Sequence, residues 1–259
     1  MCIEHVKIRE HKAVCLKCDV CSDLSAARRK FKEHHQRVYI RDLHAGHRSA
    51  YMGERLEYYK RRVKAELNPH EYLSIITDGM AQHHCCLPWC ANIGSANTLP
   101  HHIQGLIVHG RKINIYRTFH NVGNGANLQI HTLLKTLEEI IKDDKKGVLP
   151  PTVYIQIDGG SENTAKAMLA ICELLVARKL TTRVVLSRLI PGHTHEDIDS
   201  KFGIIWQRIR GTHVFTPQQW SRVIETCLTK EKNVMPCKVY LCVKLFCLCL
   251  RICDYLFNS

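Results

Sequence analysis

Between residues 72 and 210 the sequence alternates between short apolar runs and longer runs with helical spacing. Short runs rich in β-branched residues predict five strands, at residues 72–79, 104–110, 112–119, 152–160 and 183–189. Apolar side chains that recur every three or four positions predict three helices, at residues 126–147, 161–180 and 195–210. The predicted order along the chain is therefore β-β-β-α-β-α-β-α.

This order restricts the fold to an α/β class. Gly110 and Arg111 join the second and third strands as a hairpin would, whereas helices separate the later strands, which predicts parallel crossovers. Three antiparallel strands followed by two parallel ones make the mixed five-stranded sheet of the ribonuclease H-like topology. A dinucleotide-binding fold is disfavoured because no G-x-G-x-x-G follows the first strand.

Two aspartates end strands that lie side by side in this topology. Asp78 ends the first strand and Asp158 ends the fourth, and each precedes a glycine that lets the backbone turn beside a ligand. Two nearby carboxylates repel each other unless a cation lies between them. A hard divalent ion with oxygen ligands, Mg²⁺ or Mn²⁺, is the cation that fits.

A third acidic ligand is expected from the segment that opens the last predicted helix. A helical wheel with about 100° per residue puts His195 and Asp199 beside the core face that contains Ile198. If the helix begins later, the wheel does not apply to residues 195–197, and Glu196 remains an alternative to Asp199. His195 is a candidate for proton transfer or phosphate binding, although a histidine at a helix start is also often a cap.

Such an acidic centre indicates phosphoryl chemistry. Two metal ions roughly 4 Å apart activate water or a 3′-hydroxyl and stabilise the leaving oxygen of an in-line attack on phosphorus. We therefore expect cleavage of DNA phosphodiesters or strand transfer. The opposing interpretation is that Asp-Gly ends many strands as simple turn chemistry.

Three segments carry a family resemblance: SIITDGMAQ, VYIQIDGGSENTAK and GHTHEDIDSKFG. They resemble a transposase-like domain of unknown function that is widespread in animal and fungal genomes, and the likeness runs from about Cys15 to Trp220. The chain is more distantly similar to DDE transposases and retroviral integrases. The resemblance implies that Asp78, Asp158 and Glu196 or Asp199 bind the metal ions. It also implies an origin in mobile DNA, in which many copies have decayed or been domesticated.

The first 71 residues form a basic lead that contains cysteine and histidine. Cys15, Cys18 and Cys21 follow a C-x2-C-x2-C pattern, and His34 comes at a distance that would complete a tetrahedral Zn²⁺ site. The alternative is reduced thiols packed under a helix. No apolar signal segment opens the sequence, so we expect the 14 cysteines to stay out of disulfides in an intracellular, nuclear protein.

The distribution of charge predicts a polyanionic partner. The chain carries a net charge of +13, and between Arg28 and Lys64 twelve Lys or Arg face four acids, in a region with broadly helical spacing. Such a stretch contacts phosphates without reading the bases, so we expect structure-led binding to DNA rather than to a small-molecule substrate. A homo-oligomer is compatible with the sequence.

The sequence divides into the lead (1–71), the α/β domain (72–232) and a Cys-rich apolar tail (233–259). The tail departs from the family pattern and resembles translated non-coding sequence, with a buried edge element as an alternative. A membrane span is disfavoured because Lys244 and Arg251 interrupt it. The main alternative to a metal-dependent enzyme is an inactive, domesticated DNA-binding or protein-interaction module, and a third is a zinc-stabilised adaptor.

Overall fold

The computed structural model describes residues 18–90, 97–99, 101–119, 121–144, 147–157, 162–190, 192–193, 197–229 and 235–242. Six helices lie in these ranges: α1 (Asp19–Lys30), α2 (His34–Leu67), α3 (Ala126–Asp143), α4 (Glu162–Ala177), α5 (Asp197–Arg210) and α6 (Pro217–Thr229). Six strands accompany them: β1 (Tyr72–Gly79), β2 (His101–Val108), β3 (Lys112–Phe119), β4 (Thr152–Ile157), β5 (Arg183–Arg188) and β6 (Cys237–Cys242). Among the described helices, none combines the length and apolar composition that a membrane crossing requires.

The strands form one mixed sheet in the order β5-β4-β1-β2-β3-β6. β1, β2 and β3 are antiparallel neighbours, whereas β4 runs parallel to β1 and β5 runs parallel to β4. The prediction of an α/β fold with a mixed sheet is confirmed. The number of strands was wrong, because Cys237–Cys242 adds a sixth strand parallel to β3 at the edge.

Helices cover both faces of the sheet, as the strand sequences require. Leu73 and Ile75 of β1 face a cluster formed with α3 and α4, while Ile76 faces the opposite cluster with Tyr58 of α2 and with α5 and α6. Because successive strand side chains point to opposite faces, a strand buried on both sides reads as a continuous apolar run. This is why β1 was recognisable from sequence with the correct bounds.

β2 begins three residues earlier than predicted, at His101. His101 and His102 are polar, but both are buried, and the Nδ1 atom of His101 lies in hydrogen-bond contact with the carbonyl oxygen of Cys85. Burial lowers the pKa of His101 to about 4. A pattern of apolar residues therefore cannot detect the start of this strand.

The packing of α5 on β2 requires a glycine. A Cβ atom at Gly105 would lie 2.9 Å from two ring carbons of Phe202 and 3.2 Å from Ile198. The missing side chain thus lets α5 approach the sheet directly beside the end of β1, because Gly105 is the register partner of Asp78.

Replacing this glycine tests the packing. We expect Gly105→Ala to lower the free energy of unfolding by about 1–3 kcal/mol, since Phe202 has to shift. Gly53→Ala is the matched control: it lies within α2 with nothing within 4 Å of the added Cβ. That substitution should stabilise the chain by roughly 0.5–1 kcal/mol. Urea unfolding followed by circular dichroism measures the free energy of unfolding of both variants. Equal effects of the two substitutions would contradict the close approach of α5 to β2 at Gly105.

Candidate functional site

Asp78 lies at the carboxyl end of β1, near the middle of the sheet. Alternation along the strand directs its side chain to the same face as Ile76, which is the face that α5 covers. The side chain is half-buried, and the backbone N–H of Gly79 donates to Asp78 Oδ1 at 2.7 Å. A carboxylate is thereby held at the edge of the core with Gly105, which has no side chain, beside it.

β4 ends next to the same point. Its last residue, Ile157, is the register partner of Thr77, which immediately precedes Asp78. The predicted acidic residue Asp158 follows Ile157 in the chain and lies outside the described residues, as do His195 and Glu196.

α5 brings a further acid to this region. The described part of the helix is Asp197–Arg210, and its buried residues are the predicted Ile198, Phe202, Ile205 and Ile209. Ile198 and Phe202 lie over Gly105. Asp199 is in the first turn of α5 and is half-buried. The wheel argument therefore applies to Asp199, while Glu196 lies outside the described residues.

Asp197 has a structural environment that the sequence did not reveal. Its carboxylate accepts hydrogen bonds from the Tyr58 hydroxyl and from Arg62 at 3.2 Å, and it lies 3.0 Å from His109 Nε2. The other ring nitrogen of His109 contacts the Ser74 carbonyl oxygen at 3.1 Å. Asp197 therefore links α2, β1 and the end of β2 to the start of α5.

The charge of Asp197 is stabilised by these partners. Burial raises the pKa of the carboxyl, but the hydrogen bonds and charges of His109, Tyr58 and Arg62 outweigh it, so the pKa lies below its usual value. An acid committed to three partners is poorly suited to bind a metal ion. Asp197 is therefore a structural residue at the start of α5.

Two cysteine and two histidine side chains form a second cluster, between the lead and the segment before α5. They are Cys18 and Cys21 of the C-x2-C pattern, His47 of α2, and His193 of the segment before α5, and their ligand atoms lie within 4.8 Å of one another. Burial and the neighbouring Cys18 raise the pKa of Cys21. Of the other predicted zinc ligands, His34 is exposed at the start of α2 and is not in this group, and Cys15 lies outside the described residues.

Sequence reasoning identified the two cysteines but not their histidine partners. His193 lies 172 residues from Cys21, so no local spacing connects them. The other Cys/His-rich stretch, residues 83–90, contributes to no group of three ligands in the described part of the chain. There Cys85 is buried and its thiol donates to the Ala81 carbonyl oxygen, while His84 stacks on Trp206.

Comparison with known proteins identifies a family. A family model described as a domain of unknown function (DUF7869) matches residues 91–246. The match begins later than the resemblance noted from sequence and continues past Trp220 through β6. No curated protein and no solved structure matches the chain.

The Asp197 contacts predict a pH-dependent contribution to stability. We expect Asp197→Asn to lower the free energy of unfolding at pH 7 by about 2–4 kcal/mol, since His109 and Arg62 are then left without a largely buried anionic partner. Because the folded pKa is depressed, this stabilisation is present above the unfolded value of about 3.9 and is lost as pH falls through the folded pKa.

Urea unfolding between pH 7 and pH 3 measures the free energy of unfolding of the wild type and of Asp197→Asn. Asp42→Asn is the control, since Asp42 pairs with Arg41 on the surface, with 63% of its side chain exposed. Its removal should change stability by less than about 1 kcal/mol. Two results would show that the carboxylate is not an anchor. In one, Asp197→Asn lowers the free energy of unfolding no more than Asp42→Asn does. In the other, the difference in stability between wild type and Asp197→Asn does not shrink as the pH falls.

Proposed function

The chain belongs to the DUF7869 family of domains of unknown function, and we propose that it is a transposase-derived domain that cleaves or joins DNA phosphodiesters with divalent metal ions. The observation that carries the proposal is the position of Asp78 at the end of the central strand, beside the end of β4 and under α5. In this proposal Asp78, Asp158 and an acid of the α5 segment are the metal ligands.

The strand order supports a ribonuclease H-like fold. The order β5-β4-β1-β2-β3 combines antiparallel β1, β2 and β3 with parallel β4 and β5, as in that fold. In this interpretation β6 is an addition beyond β3. The topology matters for function because it brings the ends of β1 and β4 together at one edge of the sheet.

The pairing of β1 with β4 supports the involvement of both aspartates. Ile157 pairs with Thr77, and Asp158 and Asp78 are the residues that follow these two partners in the sequence. Asp199 supplies a third carboxylate from the first turn of α5, with Glu196 as the alternative. Carboxylate oxygens are the donors that Mg²⁺ and Mn²⁺ prefer.

Each proposed ligand offers a carboxylate, which is the donor type that such ions need. Asp78 is held by the Gly79 N–H, and its register partner Gly105 lets Phe202 and Ile198 of α5 pack close to the sheet beside it. When bound, the ions activate an attacking water or 3′-hydroxyl and stabilise the leaving oxygen. Asp197 positions α5 through its three partners.

A basic surface on the lead supports DNA as the substrate. Exposed cations lie along α1, α2 and their connection: Arg28, Arg29, Lys30, Lys32, Arg37, Arg41, Arg48, Lys60 and Lys64. α2 has 34 residues, which corresponds to a rod about 51 Å long. A cationic rod of this length suits the backbone of a duplex, whose phosphates it contacts without reading bases.

Substitution of Asp78 tests the reaction. We expect Asp78→Asn to reduce Mn²⁺-dependent nicking of supercoiled plasmid by roughly 100-fold or more, since a metal ligand and its charge are removed. Asp158→Asn should have the same effect. Asp199→Asn and Glu196→Gln, compared side by side, identify the third ligand, because only one of them should match the loss at Asp78.

The control for nicking is Glu173→Gln, an exposed acid of α4, which packs on the opposite face of the sheet from α5. Its activity should equal that of the wild type. If the wild-type chain bound DNA but nicked no plasmid in Mn²⁺, the enzymatic proposal would be rejected in favour of an inactive DNA-binding module of the same fold.

Salt dependence tests the DNA surface separately. We expect the double substitution Arg37→Ala and Arg48→Ala to weaken duplex binding and to reduce the slope of log K against log salt by about 0.9 for each phosphate that the variant no longer neutralises. Lys142→Ala is the control, since Lys142 pairs with Glu138 on α3, which packs on the other face of the sheet. Fluorescence anisotropy with a labelled duplex gives both slopes. If the double variant and Lys142→Ala gave the same slope of log K against log salt, the duplex would not bind at Arg37 and Arg48.

A further inference from the structure

We propose that Cys18, Cys21, His47 and His193 bind one Zn²⁺ ion, which fastens the helical lead to the segment that enters α5. This metal is distinct from the ions proposed at the acidic site, and its binding does not require that the chain cleave DNA. Two ligands come from the start of α1, one from α2 and one from the segment before α5.

The distances between the ligand atoms agree with tetrahedral coordination. Cys18 Sγ lies 3.3 Å from His47 Nε2, Cys21 Sγ lies 3.4 Å from His193 Nε2, and the two Nε2 atoms are 3.1 Å apart. Zinc bonds of about 2.3 Å to sulfur and 2.0–2.1 Å to nitrogen, at tetrahedral angles, give separations of roughly 3.6 Å for S···N and 3.3 Å for N···N. Each observed distance lies close to the value for one shared ion.

Hydrogen bonding alone does not satisfy these contacts. An imidazole nitrogen has one site in the ring plane, which holds either a proton or a lone pair. His47 Nε2 and His193 Nε2 face each other, and each also faces a cysteine sulfur. Two nitrogen sites cannot serve three linear hydrogen bonds. A cation at the centre accepts a lone pair from all four ligands at once.

The donor set selects zinc over the ions of the acidic site. Two thiolates and two imidazoles are softer ligands than Mg²⁺ or Mn²⁺ prefer, and a tetrahedral S2N2 set is typical of zinc. On binding, each thiol releases its proton, so that two thiolates neutralise the double charge of the ion. Four protein ligands leave no open position, which is typical of a structural rather than a catalytic zinc site.

Neighbouring residues hold the ligands in place. The ring of Tyr51 stacks on His193, with centroids 3.8 Å apart and planes 9° from parallel. Gly192 has a φ of +78°, and a Cβ there would lie 2.5 Å from the backbone nitrogen of Cys18. Only glycine allows both this conformation and this approach. The segment before α5 is therefore built to lie against the start of α1.

The proposed ion would connect parts of the chain that are far apart in sequence. Cys21 and His193 are 172 residues apart, and His193 precedes the anchor Asp197 by four residues. Zinc at this point would hold His193 against the lead, and Asp197 holds the start of α5 against α2. The ion and the Asp197 carboxylate would thus attach the lead at two nearby positions of the chain.

Zinc content and X-ray absorption of the purified full chain test the proposal. We expect one zinc ion per chain, with two sulfur ligands at about 2.3 Å and two nitrogen ligands at about 2.0 Å. Cys21→Ser and His47→Ala should lose the ion. His193→Cys should retain it with three sulfurs and one nitrogen, which keeps the test valid even if the first two variants fold poorly.

The controls remove similar side chains outside the group. Cys86→Ser and His34→Ala should retain one zinc ion with an unchanged absorption spectrum. The proposal is overturned if the wild-type chain, supplied with Zn²⁺ during expression, is isolated without it, or if the sulfur count of His193→Cys equals that of the wild type. Loss of zinc in the control variants to the same degree as in Cys21→Ser would overturn it as well.

Discussion

The arrangement of the molecule depends on one largely buried carboxylate. Asp197 accepts from Tyr58 and Arg62 of α2 and contacts His109, which in turn contacts Ser74 of β1. An anion removed from water is tolerated only where several donors compensate for lost hydration. Tyr58 and Arg62 come from α2, and His109 follows β2. The position of α5 against the sheet follows from this requirement.

Much of the fold could be predicted because the central strands β1, β2 and β3 are buried on both faces. β1 and β3 have the predicted bounds, and α5 has the predicted core residues. The signals that failed were of two kinds. His101 begins a strand although it is polar, because its partners are supplied by distant parts of the chain. β6 was not counted among the strands of the sheet predicted from the sequence. The strand conformation of Cys237–Cys242 depends on its pairing with β3, where Tyr240 stacks on Tyr116.

The residues of the candidate sites also divide into those with a local sequence pattern and those without one. The position of Asp78 at a strand end could be predicted because Asp-Gly after an apolar run is a local signature. The C-x2-C pattern of Cys18 and Cys21 is local as well. His47 and His193 were not, since no spacing along the chain relates them to Cys18 and Cys21. Nor did the pattern distinguish Asp197 from Asp199, two acids separated by one residue. Only the partners supplied by α2 and by His109 identify Asp197 as the anchor of α5.

The long sequence separations of these contacts bear on the order in which the protein folds. Tyr58 meets Asp197 across 139 residues, and Cys21 meets His193 across 172. Contacts between distant parts of a chain form slowly, and during synthesis they must wait for the later partner to leave the ribosome. The lead is made first, and α2 finds partners in β1 soon afterwards, but its contacts with His193 and Asp197 form only after β1 to β5 have been synthesised. The attachment of the lead to the start of α5 is therefore among the last steps of folding.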